Sequence, residues 1–143
     1  LSAAAGHWWR VRIYYEDTDA GGIVYHASYL RFFERARTEW LRALGLDHPT
    51  LRDRFGVMFA VRRLEIAYRS PARLDDELEI ATTLERAEGA RLVLGQRAER
   101  GRTAICEARI ELVVVNSQLR PSRLPEPLRA RLEGLGAPPD KGS

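Results

Sequence analysis

The chain has 143 residues, 45% of them hydrophobic and 30% charged, and a formal net charge of +3 carried almost wholly by arginine, Lys141 being the sole lysine. That is the length of one domain with a real core, and too little for two. Basic residues interleaved with 20 acidic ones leave no arginine-rich stripe of the nucleic-acid-binding kind, and no apolar run approaches the roughly 20 residues a membrane-spanning helix needs.

The opening "LSAAAGHWW" has neither a cationic start nor a long apolar stretch and does not read as a signal peptide. Residues 1–9 are expected to be an N-terminal tail, with Trp8 and Trp9 as an apolar anchor for the first strand. "RVRIYY" alternates Val11, Ile13 and Tyr15 on one face, which predicts a short strand over 10–15. From Tyr29 to Leu44 the period becomes helical. Phe32, Ala36, Tyr29, Trp40, Phe33, Leu44, Leu30 and Leu41 fill about half the circumference, and Gly45 is the stop signal.

After a loop through "DHPTLRDRFG" the period returns to two. Phe59 and Val61, then Leu64, Ile66 and Tyr68, share a face only if the phase slips at Arg62-Arg63, which a β-bulge would produce. "SPARLDDE" reads as a turn. Leu78, Ile80, Thr82 and Leu84 predict the next strand, and Leu92, Leu94, Gln96 and Ala98 the one after it. Ala104, Cys106, Ala108, Ile110, Leu112 and Val114 predict the last strand, with hairpins at 88–89 and 100–102 between them. "PEPLRARLEGLG" predicts a short helix, and residues 135–143 a flexible tail. One strand, one long helix and four meandering strands make an α+β domain over 10–134, a curved antiparallel sheet covered by the helix. Five strands leave edges open, and pairing with a second copy would close them.

Chemistry concentrates in "DTDAGGIVYH", residues 17–26. One reading is a structural Asx/glycine turn. A magnesium-dependent phosphotransferase would want an apolar strand before the aspartates and a lysine near the phosphate; a calcium loop would want later oxygen ligands. A fourth reading is acyl transfer. Gly21-Gly22 lets the backbone turn sharply and approach a ligand. The amides that open the next helix have no partners within it and can polarise a carbonyl. A carboxylate on the other side of the glycines could face the same carbon. No nucleophile elbow or serine–histidine pair offers another route.

These residues carry a resemblance. "RVRIYYEDTDAGGIVYHASYLRFFERARTEWLRALG" and "FAVRRLEIAYRSPARLDDELEI" are similar to the YbgC-type acyl-CoA thioesterases of the 4-hydroxybenzoyl-CoA thioesterase (hotdog-fold) family. The resemblance implies a five-stranded antiparallel sheet wrapped around one long central helix. It implies protomers paired as a homodimer, often as a homotetramer, with active sites at the dimer interface. It implies Asp19 as nucleophile or general base and the backbone N–H of His26 as the donor to the thioester carbonyl. Gly22, Val24 and Tyr25, between these two, would contact the substrate. No metal or other cofactor is implied. The acyl donor would be an acyl-CoA or an acyl carrier protein thioester. A cytoplasmic, weakly hydrolysing interaction protein of the Tol-Pal envelope system is the alternative.

Asp17 is expected to cap a turn. Glu34 is the reserve catalytic carboxylate, since some hotdog thioesterases place theirs on this helix. Its simpler reading is an (i, i+3) ion pair with Arg37. Cys106, the only cysteine, can form neither an internal disulfide nor a multi-thiolate metal site, fits a reducing cytoplasm, and reads as core packing.

Overall fold

The structure, a computed structural model, describes residues 6–132. In chain order the elements are β1 (His7–Arg12), α1 (Ser28–Ala43), α2 (His48–Thr50), β2 (Met58–Tyr68), β3 (Glu77–Glu88), β4 (Arg91–Arg100), β5 (Thr103–Val115) and α3 (Glu126–Leu132). The strands form one sheet in the order β1-β3-β4-β5-β2, antiparallel at every pairing. The sheet packs on α1, the α+β hotdog arrangement.

Burial of the wide stripe on α1 holds the two layers together. Tyr29, Phe32, Phe33, Ala36, Trp40 and Leu41 are all buried, in one cluster with Leu78, Ile80, Leu92, Leu94, Ile110 and Val114 of the sheet. Each large side chain so removed from water contributes about 1.5–3 kcal/mol. The helix stops where glycine can turn left-handed: Gly45 has φ +76°. Its N–H donates to Arg42 O at 3.0 Å, and that of Leu46 to Leu41 O at 2.8 Å, which satisfies carbonyls the helix cannot.

The phase slip in β2 is real: its register against β5 shifts between Val61 and Arg63. The two hairpins fall where the glycines predict, at Gly89 and Gly101, both with positive φ. Other features differ from the sequence expectation. β3, β4 and β5 meander, but β2 crosses to the far edge and pairs with β5, because alternation fixes which face a strand buries and not which strand lies beside it. β1 begins at His7, so the expected tail over 1–9 is in part strand. His7, Trp8 and Trp9 pair with Thr82, Ala81 and Ile80. Tyr15 has left the strand for a single helical turn, Tyr15–Asp17, and is 82% exposed. Ala104 is exposed while Ile105 and Cys106 are both buried, beside a register shift between Ala98 and Glu99.

The stretch after α1 is a pair of helical turns, capped by Asp47 Oδ1 on the Thr50 N–H at 3.0 Å and ended by Gly56 at φ +67°. The predicted tail over 135–143 lies outside the described residues.

As an edge strand, β2 has β5 on one side only. Its Met58, Val61, Leu64 and Tyr68 are exposed, while Phe59 and Ile66 pack against the core.

Two buried acids make the fold sensitive to alkali. Burial, with help from Glu107, pushes the Cys106 thiol from 9.0 up to about 12. Burial likewise raises Tyr29 from 10.0 to about 12, and Cys106 adds to the effect. Both groups hold their protons in the folded chain over a range where the unfolded chain has lost them, so stability falls with rising pH. Urea midpoints should therefore drop progressively between pH 9 and 12, and Cys106→Ala should make that decline shallower; a midpoint flat across this range would contradict the assignment.

Candidate active site

The 17–26 segment folds as a tight loop between the end of β1 and the start of α1. A β-turn forms over residues 19–22, where the Gly22 N–H donates to Asp19 O at 3.0 Å, and the Asp19 N–H reaches Ile23 O at 2.9 Å. Thr18 and Val24 form an isolated bridge, and Ile23 bridges Arg73 of the neighbouring loop. The Val24 N–H donates to Ala72 O and that of Tyr25 to Asp17 O, at 2.8 and 2.9 Å. Gly22, at φ +81°, supplies the conformation that other residues resist.

The two aspartates have opposite fates. Asp17 is buried, 6% exposed. Its Oδ2 accepts the Tyr14 N–H at 2.9 Å and its Oδ1 faces an Arg31 guanidinium nitrogen at 3.4 Å. It caps its turn, as expected, and its charge is spent on structure. Asp19 is exposed. Its Oδ1 accepts the Gly21 N–H at 2.8 Å, which orients the carboxylate and leaves Oδ2 without an acceptor role among the described residues. A side chain on Gly21 would meet that Oδ1 at 3.2 Å, so glycine there protects the carboxylate's position.

Helix α1 starts with little capping. Its N-cap is Ala27, with no side-chain cap bond. The Ser28 N–H turns back to Tyr25 O at 2.8 Å and the Leu30 N–H to Ala27 O at 3.1 Å. Among the described residues, none accepts a hydrogen bond from the His26 N–H. The His26 carbonyl accepts the Tyr68 hydroxyl at 3.1 Å, and the imidazole is exposed beside Tyr25 and Tyr68, with ring centroids 4.6 and 6.2 Å away. An unspent donor just ahead of a helix start, with the positive end of the helix dipole behind it, favours a developing negative charge.

Of the residues expected to contact a substrate, Gly22 and Tyr25 are exposed in the loop. Val24 is a correction. Its side chain is in the core at 5% exposure and its N–H is taken by Ala72, so it holds the loop down and offers no contact surface. Glu34 lies on the exposed side of α1 and lines a pocket of about 280 Å³ between α1 and β2. The expected ion pair with Arg37 is replaced: Arg37 donates to Gln96 Oε1 at 3.1 Å, and Glu34 acts on it only through the field.

Sequence reading missed Tyr68, Arg31 and Gln96 as neighbours of this region. Tyr68 and Gln96 sat on predicted strand faces, and no pattern told which helix residue each would meet. No cluster of three or more His, Cys, Asp or Glu side chains suited to a metal occurs among the described residues.

Residues 13–132, which include this loop and the helix it opens, match the model of the thioesterase-like superfamily. The chain belongs to that superfamily. It is 45% identical over 127 residues to an acyl-CoA thioester hydrolase, YbgC, of Escherichia coli, covering 87% of this chain and 94% of the relative. It is 41% identical over 126 residues to the acyl-CoA thioesterase YbgC of Haemophilus influenzae, covering 87% and 93%. A probable thioesterase from Bartonella henselae superposes with a TM-score of 0.80 at 39% identity, covering 85% of this chain and all of that one.

Within this superfamily member the two aspartates should separate cleanly by stability. Asp17→Ala leaves the Tyr14 N–H and Arg31 without their partner and should cost about 1–3 kcal/mol in urea denaturation. Asp19→Asn keeps an oxygen for Gly21 at an exposed site and should change stability by less than about 0.5 kcal/mol.

Proposed function

We propose that this protein hydrolyses acyl-CoA thioesters to the free acid and CoA, with Asp19 as the nucleophile or general base and the His26 N–H as the oxyanion donor. One observation carries the reading: a carboxylate oriented through one oxygen and an unspent backbone donor at a helix start belong to the same loop, clamped by the Thr18–Val24 bridge. The names of relatives at 41–45% identity over most of the chain supply the substrate class.

In the general-base form, a water oxygen attacks the thioester carbon as Asp19 takes its proton. The carbonyl oxygen gains charge and is held by the His26 N–H and the dipole of α1, a type of donor that is worth about 10²–10³ in rate. Collapse breaks the C–S bond, the thiolate of CoA leaves, and the proton on Asp19 returns to it. In the nucleophilic form the carboxylate oxygen itself attacks, and water then cleaves the mixed anhydride. Gly22 and Tyr25 would border the thioester, and the His26 imidazole would orient substrate or water. Glu34, along α1, remains the reserve carboxylate.

The proposal includes a homodimer in which β2 pairs with β2 of a second copy. An 11-residue edge strand with free backbone groups and exposed Val61, Leu64 and Tyr68 is built for a two-fold antiparallel match. Two dimers could then pair through the outer sheet face, where Glu85, Arg97, Glu107 and Arg109 border an open groove. No described helix is long and apolar enough to cross a membrane, and we place the protein in the cytoplasm, where its single buried thiol is at home.

Asp19→Asn should lower kcat for short acyl-CoA thioesters at least 100-fold with unchanged molecular mass in solution. Full activity in this variant would remove Asp19 from the reaction, and tight carrier-protein binding with negligible turnover in the unaltered protein would favour an interaction role instead. Separately, Leu64→Glu should convert a dimer to a monomer by light scattering, because it sets like charges on the pairing edge.

A further inference from the structure

The pocket between α1 and β2 ends at Arg37, a residue that the proposed hydrolysis does not use. Tyr68 is bonded to His26 O at the start of α1. From there the helix runs on through Leu30, Phe33 and Glu34 to Arg37, while β2 runs back through Leu64 to Val61, and these six residues line the pocket. Its lining runs along α1 from Leu30 and Arg31, whose guanidinium meets Asp17 of the loop, to Arg37 at the end farther from His26.

Arg37 is partly buried. Burial lowers its pKa, and the nearby charge of Glu34 works in the opposite direction. Its one hydrogen-bonding partner among the described residues is Gln96 Oε1, and no carboxylate lies within 4.0 Å of it there. Gln96 is itself fixed. At 3% exposure, its amide nitrogen donates to Phe33 O at 3.0 Å and to Thr82 Oγ1 at 2.9 Å, so only its oxygen is left for the arginine. A guanidinium carries five donors. Here a rigid network anchors it, it is partly desolvated, and most of its donors have no protein acceptor. Such a cation draws an oxygen ligand.

The charge around it selects the kind of oxygen. Glu34 faces the same pocket and Arg31, also on its wall, is engaged with Asp17, so the site is close to neutral. A second carboxylate would meet Glu34, whereas a hydroxyl can give its proton to Glu34 and accept from Arg37. We infer that Arg37 is a specificity-determining residue that reads a hydroxyl at the far end of the acyl group, so that the pocket selects ω-hydroxyacyl thioesters over plain chains of equal length. The inference rests on the thioesterase reading above.

Length follows from helix geometry. Residues 26 and 37 are about 16 Å apart along the axis, and a helical side chain leans back toward the N-terminus. Roughly 10 Å are left for the acyl chain, which six to eight carbons with the terminal oxygen span at about 1.25 Å of advance per bond of an extended chain.

The test compares kcat/KM for hexanoyl-, 6-hydroxyhexanoyl-, adipoyl-, octanoyl- and 8-hydroxyoctanoyl-CoA. The unaltered protein should favour the hydroxylated chain at least tenfold at one of these lengths, and adipoyl-CoA should fall below 6-hydroxyhexanoyl-CoA. Arg37→Met should collapse the hydroxyl-to-plain ratio toward one, and Arg37→Lys should restore part of it. Should Arg37→Met fail to fold, Glu34→Gln should reduce the discrimination against adipoyl-CoA. Equal rates for hydroxylated and plain chains, a preference for adipoyl-CoA, or a ratio unmoved by Arg37→Met would overturn the inference. If no thioester is turned over, the hydrolase reading fails, and calorimetric binding of hexanoyl- and 6-hydroxyhexanoyl-CoA decides the pocket: tenfold tighter binding of the hydroxylated ligand upholds it, equal affinity overturns it.

Discussion

The structure depends on a helix that is buried on one side and left uncapped at its start. Every α-helix begins with N–H groups that it cannot satisfy, and a Ser, Thr, Asp or Asn side chain commonly takes one of them, a contribution of about 1 kcal/mol. Here the N-cap is Ala27 and no side chain fills that role. The cost is small beside the burial of Tyr29, Phe32, Phe33 and Trp40, each contributing about 1.5–3 kcal/mol. The core therefore holds α1 in place without a side-chain cap, and the His26 N–H just ahead of the helix is left without an acceptor among the described residues.

The proposed reaction needs a carboxylate that does not collapse onto that donor, and the loop separates its two aspartates. Asp17 turns inward and is consumed by Tyr14 and Arg31. Asp19, two residues on, faces out and is steadied only by Gly21. The stitching of the loop to residues 72–76 is itself reinforced. Burial would push the Asp76 carboxyl up, but the Arg73 N–H and the Arg100 guanidinium together outweigh it and hold that group below its ordinary value. The loop that carries Asp19 is thus docked, through Val24 and Ile23, on a turn whose own carboxylate is held by Arg73 and Arg100.

Much of this was readable from the amino-acid order, and what was not has a common cause. The long helix, its glycine stop, both hairpins and the bulge at Val61/Arg63 are local features, set by periodicity and by the conformations glycine allows. The D-x-D spacing and the double glycine located the loop. Neighbours across the fold were not readable. That β2 pairs with β5, that Tyr68 meets His26, and that Gln96 reaches both Arg37 and a helix carbonyl depend on which strand lies beside which. Gln96 and Thr82 look like ordinary members of a strand's inward face, yet they are among the few polar side chains the core admits. A buried amide is admissible only when its donors and acceptor are all met, a condition sequence alone does not display.

The network around Gln96 also ties the sheet to the helix at the point where the pocket ends. Thr82 is on β3, Gln96 on β4, and Phe33 O and Arg37 on α1, so three elements share one set of directional bonds. An apolar core alone would let α1 slide or rotate slightly against the sheet, since hydrophobic burial has no preferred direction. The hydrogen bonds remove that freedom. The same contact that sets the helix register sets the distance from the loop to Arg37, and hence the depth of the pocket. The other wall is β2, the edge strand, whose free side is where the proposed second copy would bind. One side of the pocket is thereby fixed by a buried polar network, and the other would be fixed by the proposed assembly. Changes in the acyl group accepted should therefore arise more readily on the β2 side, where a substitution disturbs no buried hydrogen bond.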